Sequence, residues 1–305
     1  MDTGLLRGRD PSSGDDGESL VRLVAGERVL VSTRPRSYVR SPERPVGVDC
    51  AVAGRGAGDR SARGIGTALQ RAAITDHEVV QGSAYARIVP ADHTARRPWS
   101  HYLARPGQIE TIGRPRWAEM ADALAAPKIA RGALDLGAVA QRATNEVQGA
   151  TRGGREETFR AARSRLRWVA ETGGEGIGEV RFEVHDRKVR LLRFRTREAD
   201  AGRLASICED VALHDWLLFT LIESVRKAAI GRAPRGDTLA RLGPAVDRLL
   251  HLWMPAARAD ELTETMWAVL ERGAGFSRQW TTLATRVRDQ FLIALAESFA
   301  AATRS

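Results

Sequence analysis

Hydrophobic and polar positions along this chain follow two periods, one before residue 200 and one after it. In the first 116 residues, short segments rich in β-branched or aromatic residues are separated by Gly, Pro or Asp clusters: Arg28 to Ser32, Val46 to Val52, Gly66 to Ile74, Val79 to Val89, Ser100 to Leu103 and Gln108 to Ile112. That pattern predicts strands. Thr75 to Glu78 reads as a hairpin turn and Arg105-Pro106-Gly107 as a second turn. A sheet of so many short strands must protect its edges, so a small barrel or sandwich is the expected closure. Alanine-rich stretches around Met120 to Ala125 and Leu134 to Val147 favour helix, and the glycine and charge run from Gly149 to Glu157 reads as a linker. Three more strands follow, Arg163 to Ala170, Glu179 to His185 and Lys188 to Thr196. The turn at Asp186 and Arg187 is so short that the last two should pair antiparallel.

From residue 201 the period changes to about 3.6. Leu204, Ile207, Val211, Leu218, Leu221 and Val225 form one stripe, and Leu239, Leu242, Val246, Leu249 and Trp253 a second, separated by Gly231 to Gly236. Leu262, Met266 and Val269 mark a shorter helix ended by Gly273 and Gly275; Trp280, Leu283, Val287, Phe291, Leu295 and Phe299 mark a fourth. Each has one apolar face, which predicts a bundle. The expected fold class is therefore α+β: a β-rich N-terminal domain (1–118), a helical connection (119–150), and a region (151–305) with a three-stranded antiparallel sheet followed by a C-terminal four-helix bundle.

Composition narrows the classes. With 305 residues, 43% apolar and 28% charged, the chain can bury a sizeable core. No apolar run approaches the roughly 20 residues that span a bilayer, and the acidic, glycine-rich stretch Asp10 to Glu18 lacks the apolar segment of a secretory signal. A cytoplasmic protein without membrane association is expected. Cys50 and Cys208 are the only cysteines, too few for a disulfide framework or a zinc knuckle. The net charge of +9 is carried by arginine, since Lys128, Lys188 and Lys227 are the only lysines. It is also uneven, with 13 cations against 12 anions after residue 200, so an anionic partner would meet the first two thirds of the chain.

Four features carry candidate chemistry. Asp-x3-His-x-Trp occurs twice, as Asp210, His214, Trp216 and as Asp247, His251, Trp253. Helical i, i+4 spacing puts each Asp beside its His, and an antiparallel turn near Ala233 would level the two imidazoles, as in a metal or acid–base cluster. Two local, structural Asp–His pairs are the simpler reading. Alternation places Arg163, Arg165 and Arg167 on one face of their strand, and Arg193, Arg195 and Arg197 on one face of theirs. In a meander the middle strand would add Glu179, Arg181 and Glu183, giving an ion-paired surface with surplus positive charge for phosphates or an acidic partner. Aromatic residues fall on the opposite face, which disfavours nucleic acid. The loop from Gly173 to Gly178 runs between strands rather than into a helix, so it is no phosphate cradle. Finally, Trp99, His101 and Tyr102 lie in a polar-aromatic segment of residue types that dominate docking surfaces. No cofactor motif is present, and none is expected.

The runs Gln81 to Arg87, Pro98 to Gly107, Leu213 to Leu217 and Gly275 to Trp280 resemble an uncharacterised actinobacterial protein family. Its genes share a conserved neighbourhood with a variant P-loop protein and a methyltransferase-like protein. The resemblance implies a component of a multi-protein system and carries no catalytic residues. The expected function is a non-catalytic accessory or scaffold subunit that docks proteins of the same neighbourhood. The alternatives are a metal- or acid–base-dependent enzyme using Asp210, His214, Asp247 and His251, and an anion or nucleic-acid binder using the arginine face.

Overall fold

The structure is a computed structural model that describes residues 1–7, 17–22, 27–53, 62–113, 117–151, 159–173, 176–257 and 260–302. The segment 10–16, most of the expected linker (152–157) and residues 174–175 of the glycine loop lie outside the described residues. The strands are β1 (Asp2–Leu5), β2 (Leu30–Ser32), β3 (Tyr38–Arg40), β4 (Arg44–Ala53), β5 (Ala62–Thr75), β6 (Val79–Tyr85), β7 (Arg87–Pro90), β8 (Gln108–Ile112), β9 (Ser164–Thr172), β10 (Ile177–Val184) and β11 (Val189–Thr196). The helices are α1 (Gly17–Val21), α2 (Trp99–Leu103), α3 (Trp117–Leu124), α4 (Leu136–Ala150), α5 (Ala201–Ala228), α6 (Arg235–Leu249), α7 (Glu261–Gly273) and α8 (Phe276–Ala302).

The fold is α+β, but it does not divide into a β-rich region, a separate three-stranded sheet and a four-helix bundle. All eleven strands belong to one mixed sheet, whose main path runs β10-β11-β9-β1-β6-β5-β3-β2. β1 joins what the sequence separates: it pairs antiparallel with β6 (Asp2↔Gly82) and with β9 (Asp2↔Arg165). The expected meander is also replaced. β11 takes the middle position, antiparallel to β10 and parallel to β9 from Val189↔Arg165 to Thr196↔Thr172. The long strand β5 is the hub of the other half, pairing with β3, β4, β6 and β8.

Strand alternation explains why this sheet is covered on both faces. On β6, Val79 and Tyr85 join the core under α5, whereas Val80 and Ala84 pack with residues of α4. Gly82 permits the closest approach of α4, because a Cβ there would stand 2.1 Å from the Ala140 carbonyl oxygen. Gly66, at φ +156°, likewise lets β5 pass β8, since its Cβ would meet the Gln108 carbonyl oxygen at 2.1 Å. The helix α5 departs from the one-sided amphipathic pattern. Leu204, Cys208, Val211, Leu213, Trp216, Leu217 and Leu221 are all buried, so it is enclosed by the sheet and the other C-terminal helices. The sequence period identifies the helical elements, but the sheet supplies the second wall that a free-standing bundle would lack.

A charged cluster fixes α5 against the sheet. Arg71 of β5 is 1% exposed and Glu209 of α5 4%. Arg71 Nε and Nη2 donate to the two Glu209 carboxylate oxygens at 2.8 and 2.9 Å, Nη1 donates to Glu43 at 2.9 Å, and Nη2 also reaches Ser206 Oγ at 2.9 Å. Burial pushes the Glu209 carboxyl up, but Arg71 outweighs it and holds the group below the usual carboxylate value. Arg71→Met should cost about 3–5 kcal/mol in denaturant unfolding, because it strands the buried Glu209 charge. The double variant Arg71→Met/Glu209→Met should be less destabilised than the sum of the singles, a coupling read directly from the mutant cycle.

Candidate functional site

β7 and β8 pair in parallel, Arg87↔Gln108 to Pro90↔Thr111, so the chain between them must cross over. That crossover, residues 91–107, lies against β8 and brings together groups distant in sequence. On β8, Ile109 joins the apolar core with Val48, Val52 and Met120, so by alternation Glu110 faces the crossover. The Glu110 side chain is 5% exposed. His93 Nε2 is 2.9 Å from Glu110 Oε2, and His101 Nε2 is 3.0 Å from both carboxylate oxygens. Arg105 Nη1 donates to Oε1 at 2.7 Å, and Gln108 Nε2 approaches the same oxygen at 3.4 Å. Burial pushes the Glu110 carboxyl up, but hydrogen bonds from His101, His93 and Arg105 hold it below its ordinary value. The carboxylate is therefore ionised at neutral pH.

The donor atoms of His93, His101 and Glu110 all lie within 4.8 Å of one another, a group able to hold a metal ion. Arg105 and Gln108 occupy Oε1, which leaves Oε2 facing both imidazoles. In a tetrahedral site with ligands at about 2.0–2.2 Å, neighbouring ligand atoms stand roughly 3.3–3.6 Å apart, so the hydrogen-bonded imidazoles, at 2.9 and 3.0 Å from Oε2, would move outward by a few tenths of an ångström to admit an ion. Two imidazoles and one carboxylate suit zinc and similar borderline cations. Among the described residues the buried His93 Nδ1 has no hydrogen-bond partner, so none of them supplies an acceptor behind this ligand.

Of these residues the sequence reading singles out His101. Ser100 to Leu103 is not a strand but part of the five-residue helix α2. Within that turn His101 reaches Glu110, Tyr102 is 1% exposed, and Trp99 and Leu103 are 37% and 59% exposed. Tyr102 is thus a core residue whose hydroxyl accepts from the Arg97 backbone N–H at 3.1 Å. Trp99 stays outward, edge-on to Tyr102 and under the Arg96 guanidinium.

The arginine face meets helices of its own chain. Arg163 donates to Asn145 at 2.6 Å, Arg165 to Gln141 at 2.8 Å and Arg167 to Asp135 at 3.2 Å, all three partners on α4 or at its N-cap. Arg193 bonds Glu171 at 2.8 Å and also Asp122 of α3. Arg195 pairs with Glu179 at 2.8 Å, the cross-strand partner that alternation suggests. Arg197 is exposed.

The two Asp-x3-His-x-Trp copies have different fates. His214 is fully buried; its Nδ1 lies 2.7 Å from the Asp210 backbone carbonyl oxygen, and its Nε2 accepts the Met254 backbone N–H at 3.2 Å. That backbone donor assigns the ring proton to Nδ1. The Asp210 carboxylate also lies 3.4 Å from that Nδ1, the i, i+4 pair the sequence suggests, and accepts from Ala256 N at 3.0 Å and Trp267 Nε1 at 2.7 Å. Burial pushes the His214 pKa down, so the ring is neutral. In the second copy, α6 ends at Leu249 and His251 lies in the 3-10 turn Leu250–Leu252, which breaks the i, i+4 register with the exposed Asp247. His251 is half exposed and sits 3.2 Å from Asp76. The tryptophans serve packing: Trp216 donates to the Ala162 carbonyl oxygen at 2.8 Å, and Trp253 stacks on Trp280 and meets the His214 ring edge-on. Both His214 nitrogens are thus engaged by backbone.

No family model, curated protein or solved structure matches the chain. Among the described residues, no helix is long and apolar enough to cross a membrane.

Two measurements check this picture. His214→Ala should lower unfolding free energy by roughly 1–3 kcal/mol, through the unpaired Met254 N–H and the cavity, whereas His251→Ala should change it by less than about 0.5 kcal/mol. Asp215, paired to Arg190 at 3.0 Å, has its carboxyl pushed up to about 6 by burial against the pull of Arg190. Its folded value exceeds the unfolded one of 3.8, so its contribution is fully present below pH 3.8 and lost as pH rises through about 6. Between these limits wild-type stability should fall relative to Asp215→Asn, whose difference curve against pH should show the step.

Proposed function

We propose that the protein is a metal-binding accessory subunit whose docking segment is folded around a zinc-class divalent cation held by His93, His101 and Glu110. The observation that carries the reading is the convergence of these three donor atoms within 4.8 Å, one of them, His101, on the short helix that exposes Trp99 and Leu103. A cation bound there ties residues 91–107 to β8. The ordered side chains then meet a protein partner at a lower entropic cost. The resemblance to a multi-protein system supports this reading.

A second reading, a metal-dependent enzyme, draws on one further observation. Three ligands leave coordination positions open, and His101 is 23% exposed, so a substrate could reach them. This centre uses neither His214 nor His251.

Elemental analysis of protein purified without chelator, followed by calorimetric zinc titration of the stripped protein, tests the metal. One equivalent should bind, and His93→Ala or His101→Ala should weaken binding at least tenfold. Absence of stoichiometric binding would remove the proposal. Trp99→Ser/Leu103→Ser should lose partner recovery from the native host while keeping zinc and the unfolding midpoint. Retained recovery would move docking elsewhere.

A further inference from the structure

β1 pairs with β9 as far as Arg165, and the Met1 backbone continues the ladder to Leu166. Beyond Leu166 β9 has a strand neighbour on one side, β11, among the described residues. There, bounded by β9, β6–β7, α3 and the start of α5, lies a cavity of about 560 Å³. This volume lies within the range of small-molecule sites. Its lining is largely apolar, with Trp117, Met120, Leu124, Leu134 and Trp168 contributing side chains.

Arg87, Arg167, Glu171 and Glu198 bring charged side chains to this wall. Glu171 is engaged by Arg193 at 2.7 Å and Glu198 by Arg203 at 2.7 Å, and each of these cations also meets a second carboxylate, Asp122 and Asp260 respectively. Arg167 also lines the cavity, with its side chain 9% exposed. Among the described residues it gives one hydrogen bond, Nη2 to Asp135, and its enclosed Nε has no partner. Asp135 is shared, because it also caps α4 through the Ala138 N–H at 3.2 Å. A guanidinium offers five donors in a planar fork that suits a carboxylate. Burial pushes the Arg167 pKa down, and the neighbouring Arg165 adds to the effect. A negative charge placed here would relieve both.

We propose that this cavity binds a small apolar monocarboxylate, such as a medium-chain fatty acid, with its carboxylate on Arg167 and its body between α3 and β9. The inference uses none of the metal-site residues and stands independently of that reading.

The test uses the full chain and two probes of equal length, decanoate and decanol, below their micellar and solubility limits. Binding is followed by intrinsic fluorescence, since Trp117 and Trp168 line the cavity, and by the shift in unfolding midpoint. Decanoate should bind saturably and at least tenfold more tightly than decanol. Arg167→Met should bring the two close to equal affinity, and Ala121→Phe, which places a ring at the cavity wall, should abolish decanoate binding. Equal affinity of both probes for the wild type, or no saturable binding of decanoate, would overturn the proposal. So would decanoate binding unchanged in Ala121→Phe. The wild-type comparison and Ala121→Phe decide the matter even if Arg167→Met fails to fold.

Discussion

The bidentate contact between Arg71 and Glu209 is the constraint around which the two halves of the molecule are arranged. A helix that is apolar on nearly every side, as α5 is, gains about the same burial in many rotations and translations. A guanidinium that must meet one carboxylate, while also donating to Glu43 and Ser206, permits one of them. Gln81 reinforces that choice by donating to the Glu209 backbone carbonyl oxygen at 2.9 Å. Apolar packing supplies most of the driving force, and these polar contacts select the register in which it is realised.

The opposite face of the sheet is organised differently. There the contacts between α4 and the strand β9 are spread along the helix as Asp135, Gln141 and Asn145 meeting Arg167, Arg165 and Arg163. Long guanidinium stems cover apolar surface while their heads stay paired. The resulting interface is partly polar, and among the described residues the buried Nε atoms of Arg165 and Arg167 have no partner. This layer borders the cavity.

What the sequence could show was set by range. Period and turn chemistry locate β8, β10, β11, α5 and α8 to within a few residues, because those signals are local. The burial of Leu166, Leu192 and Phe194 likewise follows from alternation alone. Alternation also placed the arginines together correctly, but it says nothing about what covers them. The helices that do so are separated from them by residues 152–158 or more. Nothing local marks β11 as the central strand, since its parallel partner β9 lies on the far side of β10 in sequence. The metal-capable cluster was hidden for the same reason: His93, His101 and Glu110 meet only because β7 and β8 run parallel. The one available hint was a lone glutamate in the alternating run Gln108 to Ile112. The two copies of Asp-x3-His-x-Trp are not equivalent, since identical spacing sits on a continuous helix in one and across a helix end in the other.

The position of β1 has a consequence for how the chain acquires this structure. Its four residues pair with β6, some 80 positions away, and two of them, Asp2 and Thr3, with β9, more than 160 away. β9 in turn is aligned by β11, which is the last strand of the chain. During synthesis the N-terminal segment can find its first neighbour early, but its second exists only after residue 165 has emerged. The sheet is not continuous until then. Contacts of such long sequence separation carry a large closure entropy and slow the final step of folding. The emerging chain therefore passes through an interval in which one edge of β1 is unsatisfied, and the helix that buries β6, α5, has not yet been made.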